Sequence, residues 1–160
     1  MRNIAFVFSI FLSLMVQDAF GTIEWKGNAQ SRGGPFGLGA MIGDPLAISA
    51  KYFLDQTSAI DLGVGYGFSE DNGFQVHTDY LFHPHVFTRT NDFLMSWYLG
   101  AGAAVVFGND SNLNMRIPVG ITFTFMEQPI ETFLEFAPGI GIVDDFGFAF
   151  DGALGARFYF

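Results

Sequence analysis

Residues 60–68 read Ile-Asp-Leu-Gly-Val-Gly-Tyr-Gly-Phe, an alternation of large apolar residues with an aspartate or a glycine. Successive side chains of a β-strand point to opposite faces of the sheet. This stretch therefore predicts a strand with one large apolar face and one face of small or polar residues. The same parity continues through residues 74–82, 116–125 and 148–160. The alternation predicts an all-β protein whose strands each have two chemically different faces.

Turn signals divide residues 35–160 into eight such segments. The signals are clusters of Gly, Pro, Asn, Asp and Ser, which favour turns for distinct backbone reasons. They lie at residues 43–45, 55–58, 69–73, 83–92, 108–112, 127–129 and 144–145. The segments are rich in Gly, Phe, Val, Ile and Thr and have no helical period. Eight short strands joined in sequence order predict an antiparallel up-and-down sheet.

The composition indicates which face of this sheet points outward. Eight strands enclose an interior just wide enough for side chains, and 21 Phe with 5 Tyr and 2 Trp could not fit inside it. The chain is 50% hydrophobic and 14% charged, whereas a typical domain is about 25% charged. No Asp, Glu, Lys or Arg falls on the large apolar face of a segment. We therefore predict a closed antiparallel eight-stranded transmembrane β-barrel with its apolar face outward, in preference to a soluble ligand-binding barrel.

The C-terminal residues add a resemblance to this prediction. The chain ends in Ala156-Arg157-Phe158-Tyr159-Phe160, which resembles the C-terminal signature of bacterial outer-membrane barrels. That resemblance implies that Phe158 and Phe160 form a signal for the barrel-assembly machinery. By pattern, residues 35–160 resemble the small eight-stranded class that includes the OmpA transmembrane domain and OmpX.

A tighter local resemblance lies near the start of the predicted barrel. Gly43-Asp44-Pro45, followed by Lys51 and Asp61, resembles the arrangement in a group of small, mostly uncharacterised bacterial envelope proteins. Neither resemblance implies a catalytic motif. Both imply an outer-membrane location.

The N-terminus predicts export. Arg2 precedes an apolar run at residues 4–16, and Ala19-Phe20-Gly21 fits a cleavage site, so residues 1–21 are predicted to be a signal peptide. Residues 22–34 form a polar N-terminal segment, and residues 35–160 form the barrel. The chain has no cysteine, so neither disulfides nor a lipidated cysteine hold it.

The inward face is predicted to carry a charge network that fills the lumen. An isolated buried charge is costly, so the inward acids and bases are expected to pair, with Lys51 and Asp61 as the first pair. The functional alternative to this structural network is a narrow path for protons or ions through the same charges. The predicted network comprises Lys51, Asp61, His77, Asp79, Arg116, Glu131, Glu135, Asp151 and Arg157.

Candidate chemistry is sparse. His77 and Asp79 share the inward face and could belong to the His, Ser and acid site of a lipid-modifying barrel enzyme. However, no serine lies at a matching position near them, and such sites open toward the bilayer rather than into the lumen. His83-Pro84-His85 offers two metal ligands, which are too few without a nearby acid motif, and a proline-shaped turn explains them better. We therefore predict no catalytic, cofactor or metal site. Seven Lys and Arg against 16 Asp and Glu also disfavour nucleic acid as a partner.

The predicted function is a structural or envelope-stabilising role with little or no permeation. A surface adhesin, a lipid-modifying enzyme and a narrow pore remain alternatives. The expected partners are outer-membrane lipid and lipopolysaccharide, the assembly machinery and periplasmic chaperones, and the protein is expected to be a monomer. With both termini in the periplasm, the outer loops fall near Asp44, Asp71, Asp110 and Asp144. The longest connection, residues 83–92, then falls on the periplasmic side.

Overall fold

The computed structural model describes residues 33–68, 73–108, 111–142 and 147–160. The predicted signal peptide and residues 22–32 lie outside this part. Among the described residues, no helix has the length and apolar character needed to cross a membrane. The strands are β1 (Phe36–Asp44), β2 (Leu46–Phe53), β3 (Ser58–Gly67), β4 (Gly73–Arg89), β5 (Phe93–Phe107), β6 (Asn112–Arg116), β7 (Val119–Phe125), β8 (Ile130–Gly141) and β9 (Phe148–Tyr159).

The sheet closes on itself. Each strand pairs antiparallel with a neighbour on both sides, and β1 pairs with β9 to complete the ring. Strands β6 and β7 both lie between β5 and β8, so they are two halves of one strand. The break falls at Ile117-Pro118, because proline has no N–H to donate to the ladder. The structure confirms the predicted closed, eight-stranded, up-and-down antiparallel barrel.

The connection predicted at residues 83–92 is wrong. Strand β4 continues to Arg89 and β5 begins at Phe93, which leaves a turn of three residues. The pairing of β4 with β5 shifts register between Phe82 and His85 and again between Val86 and Thr88. Such irregularities interrupt the two-residue period, and proline is tolerated there. Residues 83–89 therefore form part of a strand although their sequence does not alternate between apolar and polar residues.

The two ends of the barrel differ. The terminal rim carries the turns at residues 54–57, 90–92 and 126–129 together with Phe160, and the opposite end is the distal rim. Six residues separate β8 from β9 at the distal rim, whereas three join β4 to β5 at the terminal rim. The two longest connections, five residues after β3 and six after β8, thus lie opposite the termini, although Pro45 alone joins β1 to β2 there. The asymmetry expected from a long 83–92 loop is not present in the described chain.

Large apolar side chains also occupy parts of the interior, which the parity argument described as small or polar. Phe53, Leu81, Tyr98 and Tyr159 are buried with Ala59 in one cluster. A second cluster joins Met41, Ala47, Phe133 and Ala153. Glycines opposite the rings make this packing possible, because a Cβ at Gly120 would overlap the Tyr98 ring. The interior thus contains apolar clusters as well as charges.

Candidate functional site

The cross-strand register brings the predicted charges together. Residues opposite one another on antiparallel strands have neighbouring side chains on one face. One continuous row crosses seven strand segments around much of the wall and consists of four charged residues and three glycines. From β1 to β8 the row reads Gly37, Lys51, Asp61, Asp79, Gly102, Arg116 and Gly139.

Arg157 is the centre of the charge network nearest the terminal rim. Its guanidinium donates from Nη2 to Oδ1 of Asp61 at 2.7 Å and from Nη1 to Oε1 of Glu131 at 3.0 Å. Its Nε donates to Oγ of Ser49 at 2.9 Å. The guanidinium carbon also lies 3.9 Å from the centroid of the Phe133 ring. All sides of this buried cation are therefore engaged, and it ties β9 to β2, β3 and β8.

Lys51 does not form its predicted pair with Asp61. The two residues are opposite in register, but Nζ of Lys51 reaches across the interior to Glu131 at 3.2 Å. Nζ also lies 3.0 Å from Nε2 of His83, whose Nδ1 lies 3.1 Å from the carbonyl oxygen of Thr57. An ammonium only donates, so Nε2 accepts from Lys51 and Nδ1 donates to Thr57. The pairing differs because Arg157 already holds Asp61.

Arg116 is the centre of a second cluster nearer the distal rim. Its Nη2 donates to Glu135 and its Nη1 donates to Asp151 at 3.0 Å, while its Nε lies 3.3 Å from Oδ1 of Asp79. Tyr98 donates its hydroxyl to Oε2 of Glu135 at 2.7 Å. Asp151 is the outermost member, since its side chain is 19% exposed whereas that of Arg116 is 2% exposed.

Asp61, His77 and Asp79 converge between the two clusters. One ligand atom from each side chain lies within 4.8 Å of the other two, and all three residues are buried. Asp61 and Asp79 are directly opposite on β3 and β4, and His77 lies opposite Gly63. A Cβ at Gly63 would overlap the imidazole, so the glycine provides the space that the ring occupies.

All nine residues of the predicted network face the interior, and eight of them are buried; Asp151 is half-buried at the distal end. Parity reasoning missed His83 and Tyr98 as members. Tyr98 lies on the inward parity of β5, so the alternation could have revealed it. His83 also continues the inward parity of His77 and Asp79 on β4, but the turn predicted at residues 83–92 concealed it. The irregularity after Phe82 then leaves His85 exposed although His83 is buried. The His83-Pro84-His85 sequence is therefore neither the predicted turn nor a convergent ligand pair.

The predicted assembly signal lies at the seam where the barrel closes. Phe158 and Phe160 are exposed, and their ring centroids are 5.0 Å apart. The backbone N–H of Phe160 donates to the carbonyl oxygen of Phe36 at 2.9 Å, and their rings are 6.4 Å apart. The last residue thus contacts the first strand of the barrel.

The fold and the interior together define the class of protein: a closed eight-stranded β-barrel with buried charged side chains on its inner face and an apolar outer face. Residues 28–153 match the family described as "Protein of unknown function (DUF3996)". The chain therefore belongs to that family. Among curated proteins, no match was found.

A solved structure has the same architecture. The chain is similar to the N-terminal β-barrel domain of Pseudomonas aeruginosa OprF, with a TM-score of 0.51 and 16% sequence identity. The match covers 77% of this chain and 93% of that domain. At this level of identity the likeness concerns the fold alone, which is the predicted antiparallel β-barrel.

Proposed function

We propose that the protein is an integral barrel of the bacterial outer membrane with a structural or envelope-stabilising role. The outer wall carries this proposal. Within the nine described strands, Arg89, at the end of β4, is the only charged residue that is exposed. Exposed leucines and isoleucines cover the wall, with Ile48 and Leu154 at least 60% exposed. Such a continuous apolar surface is far larger than a soluble monomer tolerates and suits lipid.

Aromatic side chains are placed where a bilayer would have its interfaces. Near the distal rim, Tyr66, Phe74 and Phe107 lie side by side in register on three strands. Near the terminal rim, Phe36 is opposite Tyr52, and Phe93 is opposite Phe125. Aromatic girdles flanking an aliphatic band are typical of transmembrane barrels. This distribution supports a membrane-spanning wall over a soluble barrel.

The interior supports a lumen with little or no permeation. Lys51, Arg116 and Arg157 each contact at least one carboxylate, and the two arginines reach several strands. Moving an ion through the lumen would require breaking these buried pairs, which is expensive. The charge network is therefore proposed to fill the barrel and to hold its strands in register.

The remaining features of the proposal concern orientation and partners. None of the turns at the terminal rim is longer than four residues, whereas two distal connections have five and six, which suits a periplasmic position for the terminal rim. Lipid and lipopolysaccharide would contact the wall, and the assembly machinery with periplasmic chaperones would recognise the segment ending in Phe160. We propose a monomer without catalytic activity, because His77 lies inside the barrel, away from lipid.

Cell fractionation with heat-modifiable gel mobility tests the proposed location. We expect the protein in the outer-membrane fraction, with unheated samples migrating differently from boiled ones. Recovery from the soluble periplasm without a mobility change would overturn the proposal.

Planar-bilayer recordings test the proposed closed lumen. We expect no steady conductance from the purified, folded protein. A steady open conductance would favour the narrow-pore alternative. Arg157→Met is the useful comparison, because removing the central cation should make any residual current larger.

A further inference from the structure

We propose that Asp61, His77 and Asp79 bind one divalent transition-metal ion inside the barrel, with zinc as the probe. Asp61 and Asp79 approach from opposite positions on β3 and β4, and His77 lies two residues from Asp79 on the same strand. All three ligand atoms lie within 4.8 Å of one another. Two ligands of one zinc ion are at most about 4 Å apart, so modest side-chain rotations close the site.

The histidine is the observation that points to a ligand. His77 is 1% exposed, and neither of its ring nitrogens has a hydrogen-bond partner among the described residues. Burying a polar group without a partner is unfavourable. An imidazole nitrogen beside two carboxylates would be satisfied by a metal ion, and this mixed nitrogen and oxygen set suits first-row transition metals better than magnesium or calcium.

Each carboxylate lies beside an arginine and offers at least one oxygen that has no hydrogen-bond partner. Arg157 binds Oδ1 of Asp61, whereas Arg116 forms an ion pair with Asp79, its Nε lying 3.3 Å from Oδ1. In the described part of the chain, Oδ2 of Asp61 and both carboxylate oxygens of Asp79 have no hydrogen-bond partner. This is the arrangement of a metal site whose outer contacts orient the ligands. The arginines thus position the carboxylates rather than occupy the site.

The charge balance of the interior favours a cation of this kind. The described network contains five carboxylates, from Asp61, Asp79, Glu131, Glu135 and Asp151, and three cations, from Lys51, Arg116 and Arg157. When all are ionised, two negative charges remain without a counterpart. Uncompensated buried charge is costly, and one divalent ion would neutralise the excess. Its position between the Arg116 and Arg157 clusters is where the two opposed aspartates would otherwise repel each other.

Zinc binding by the folded chain tests the proposal. The barrel is folded in detergent micelles, stripped with EDTA and exchanged into chelator-free buffer. It is then incubated with a small excess of zinc chloride, and bound zinc is measured by mass spectrometry after gel filtration removes the free ion. We expect about one equivalent for the wild type. No bound zinc on a chain with the mobility of the folded barrel would overturn the proposal.

Matched variants separate a built site from general attraction of cations. His77→Phe keeps a ring over Gly63 but removes both nitrogens, and His85→Phe is its exposed control. Asp61→Asn removes a ligand, and Asp151→Asn removes a lumen carboxylate outside the site. We expect His77→Phe and Asp61→Asn to lose at least about tenfold in zinc affinity. The two controls should bind like the wild type. Equal losses in Asp61→Asn and Asp151→Asn, or normal binding by His77→Phe, would refute the site.

Crystals provide a measurement that does not depend on variants. Should His77→Phe fail to fold, anomalous scattering from zinc-soaked wild-type crystals decides the question. A peak between the three side chains supports the site, and a peak elsewhere or no peak refutes it. Because these measurements use the barrel in micelles or crystals, their outcome is independent of whether the protein resides in the outer membrane.

Discussion

Replacing Arg157 with methionine is the most demanding test of the interior. The substitution removes the cation that binds Asp61 at 2.7 Å and Glu131 at 3.0 Å. Lys51 still neutralises Glu131, whereas Asp61 loses its hydrogen-bonded partner. Removing one partner of a buried ion pair costs about 3–5 kcal/mol, because the other charge stays behind. The guanidinium also lies over the Phe133 ring, so we expect a loss of about 3–5 kcal/mol in the free energy of unfolding.

Urea unfolding of the folded protein in micelles or vesicles measures this loss. The transition is followed by tryptophan fluorescence and by heat-modifiable mobility, with EDTA present so that metal binding does not contribute. A double-mutant cycle with Asp61→Asn isolates the pair, and we expect a coupling of about 1–3 kcal/mol.

Arg89→Met is the control for the loss of an arginine. Arg89 is exposed at the end of β4, where water screens its interactions, so this substitution should change the free energy of unfolding by about 1 kcal/mol or less. An Arg157→Met chain as stable as Arg89→Met, or a coupling near zero, would mean that water screens the interior charges. The reasoning about a packed charge network would then be wrong.

Three further predictions concern the wall, a turn and the seam. Leu134 is 57% exposed in the middle of β8, so Leu134→Arg should lower the free energy of unfolding in vesicles by about 2–4 kcal/mol. Leu54→Arg, in a turn, should lower it much less, and equal effects would contradict a lipid-facing wall. The N–H groups of Thr57 and Ser58 lower the pKa of Asp55. Urea unfolding should therefore show the wild type more stable than Asp55→Ala above about pH 4, with the difference lost as the pH falls through the lowered pKa; a difference that grows in acid would contradict this. Deleting Phe160 should reduce the heat-modifiable, membrane-inserted fraction, whereas Phe148→Ala should not; normal insertion without Phe160 would exclude it as an assembly signal.

The architecture could be predicted because large apolar residues alternate with small or polar residues along most of the strands. Residues 60–68 and their counterparts assign each side chain to a face, and the short turns leave consecutive strands no arrangement but antiparallel pairing. Closure into a ring, by pairing of β1 with β9, leaves no edge strand with unpaired backbone groups. The alternation failed where a local irregularity interrupted it, at Phe82 to His85, and there a strand was mistaken for a loop.

The candidate site was predictable as a set of residues but not as a set of contacts. Parity assigns Asp61, His77 and Asp79 to the interior, since each needs only its own strand for that assignment. Their convergence depends on the register between β3 and β4, which places Asp61 opposite Asp79 and opens space at Gly63 for the imidazole.

The sequence by itself determined which residues are inside and which are outside, because a strand's two-residue period is a local property of the backbone. The tertiary structure alone decided the partners across the lumen. Lys51 extends to Glu131 from the far side of the barrel, and Arg157 takes Asp61 instead. This pairing depends on ring closure and on long side chains that can reach across a narrow lumen. No pattern along a single strand encodes that distance.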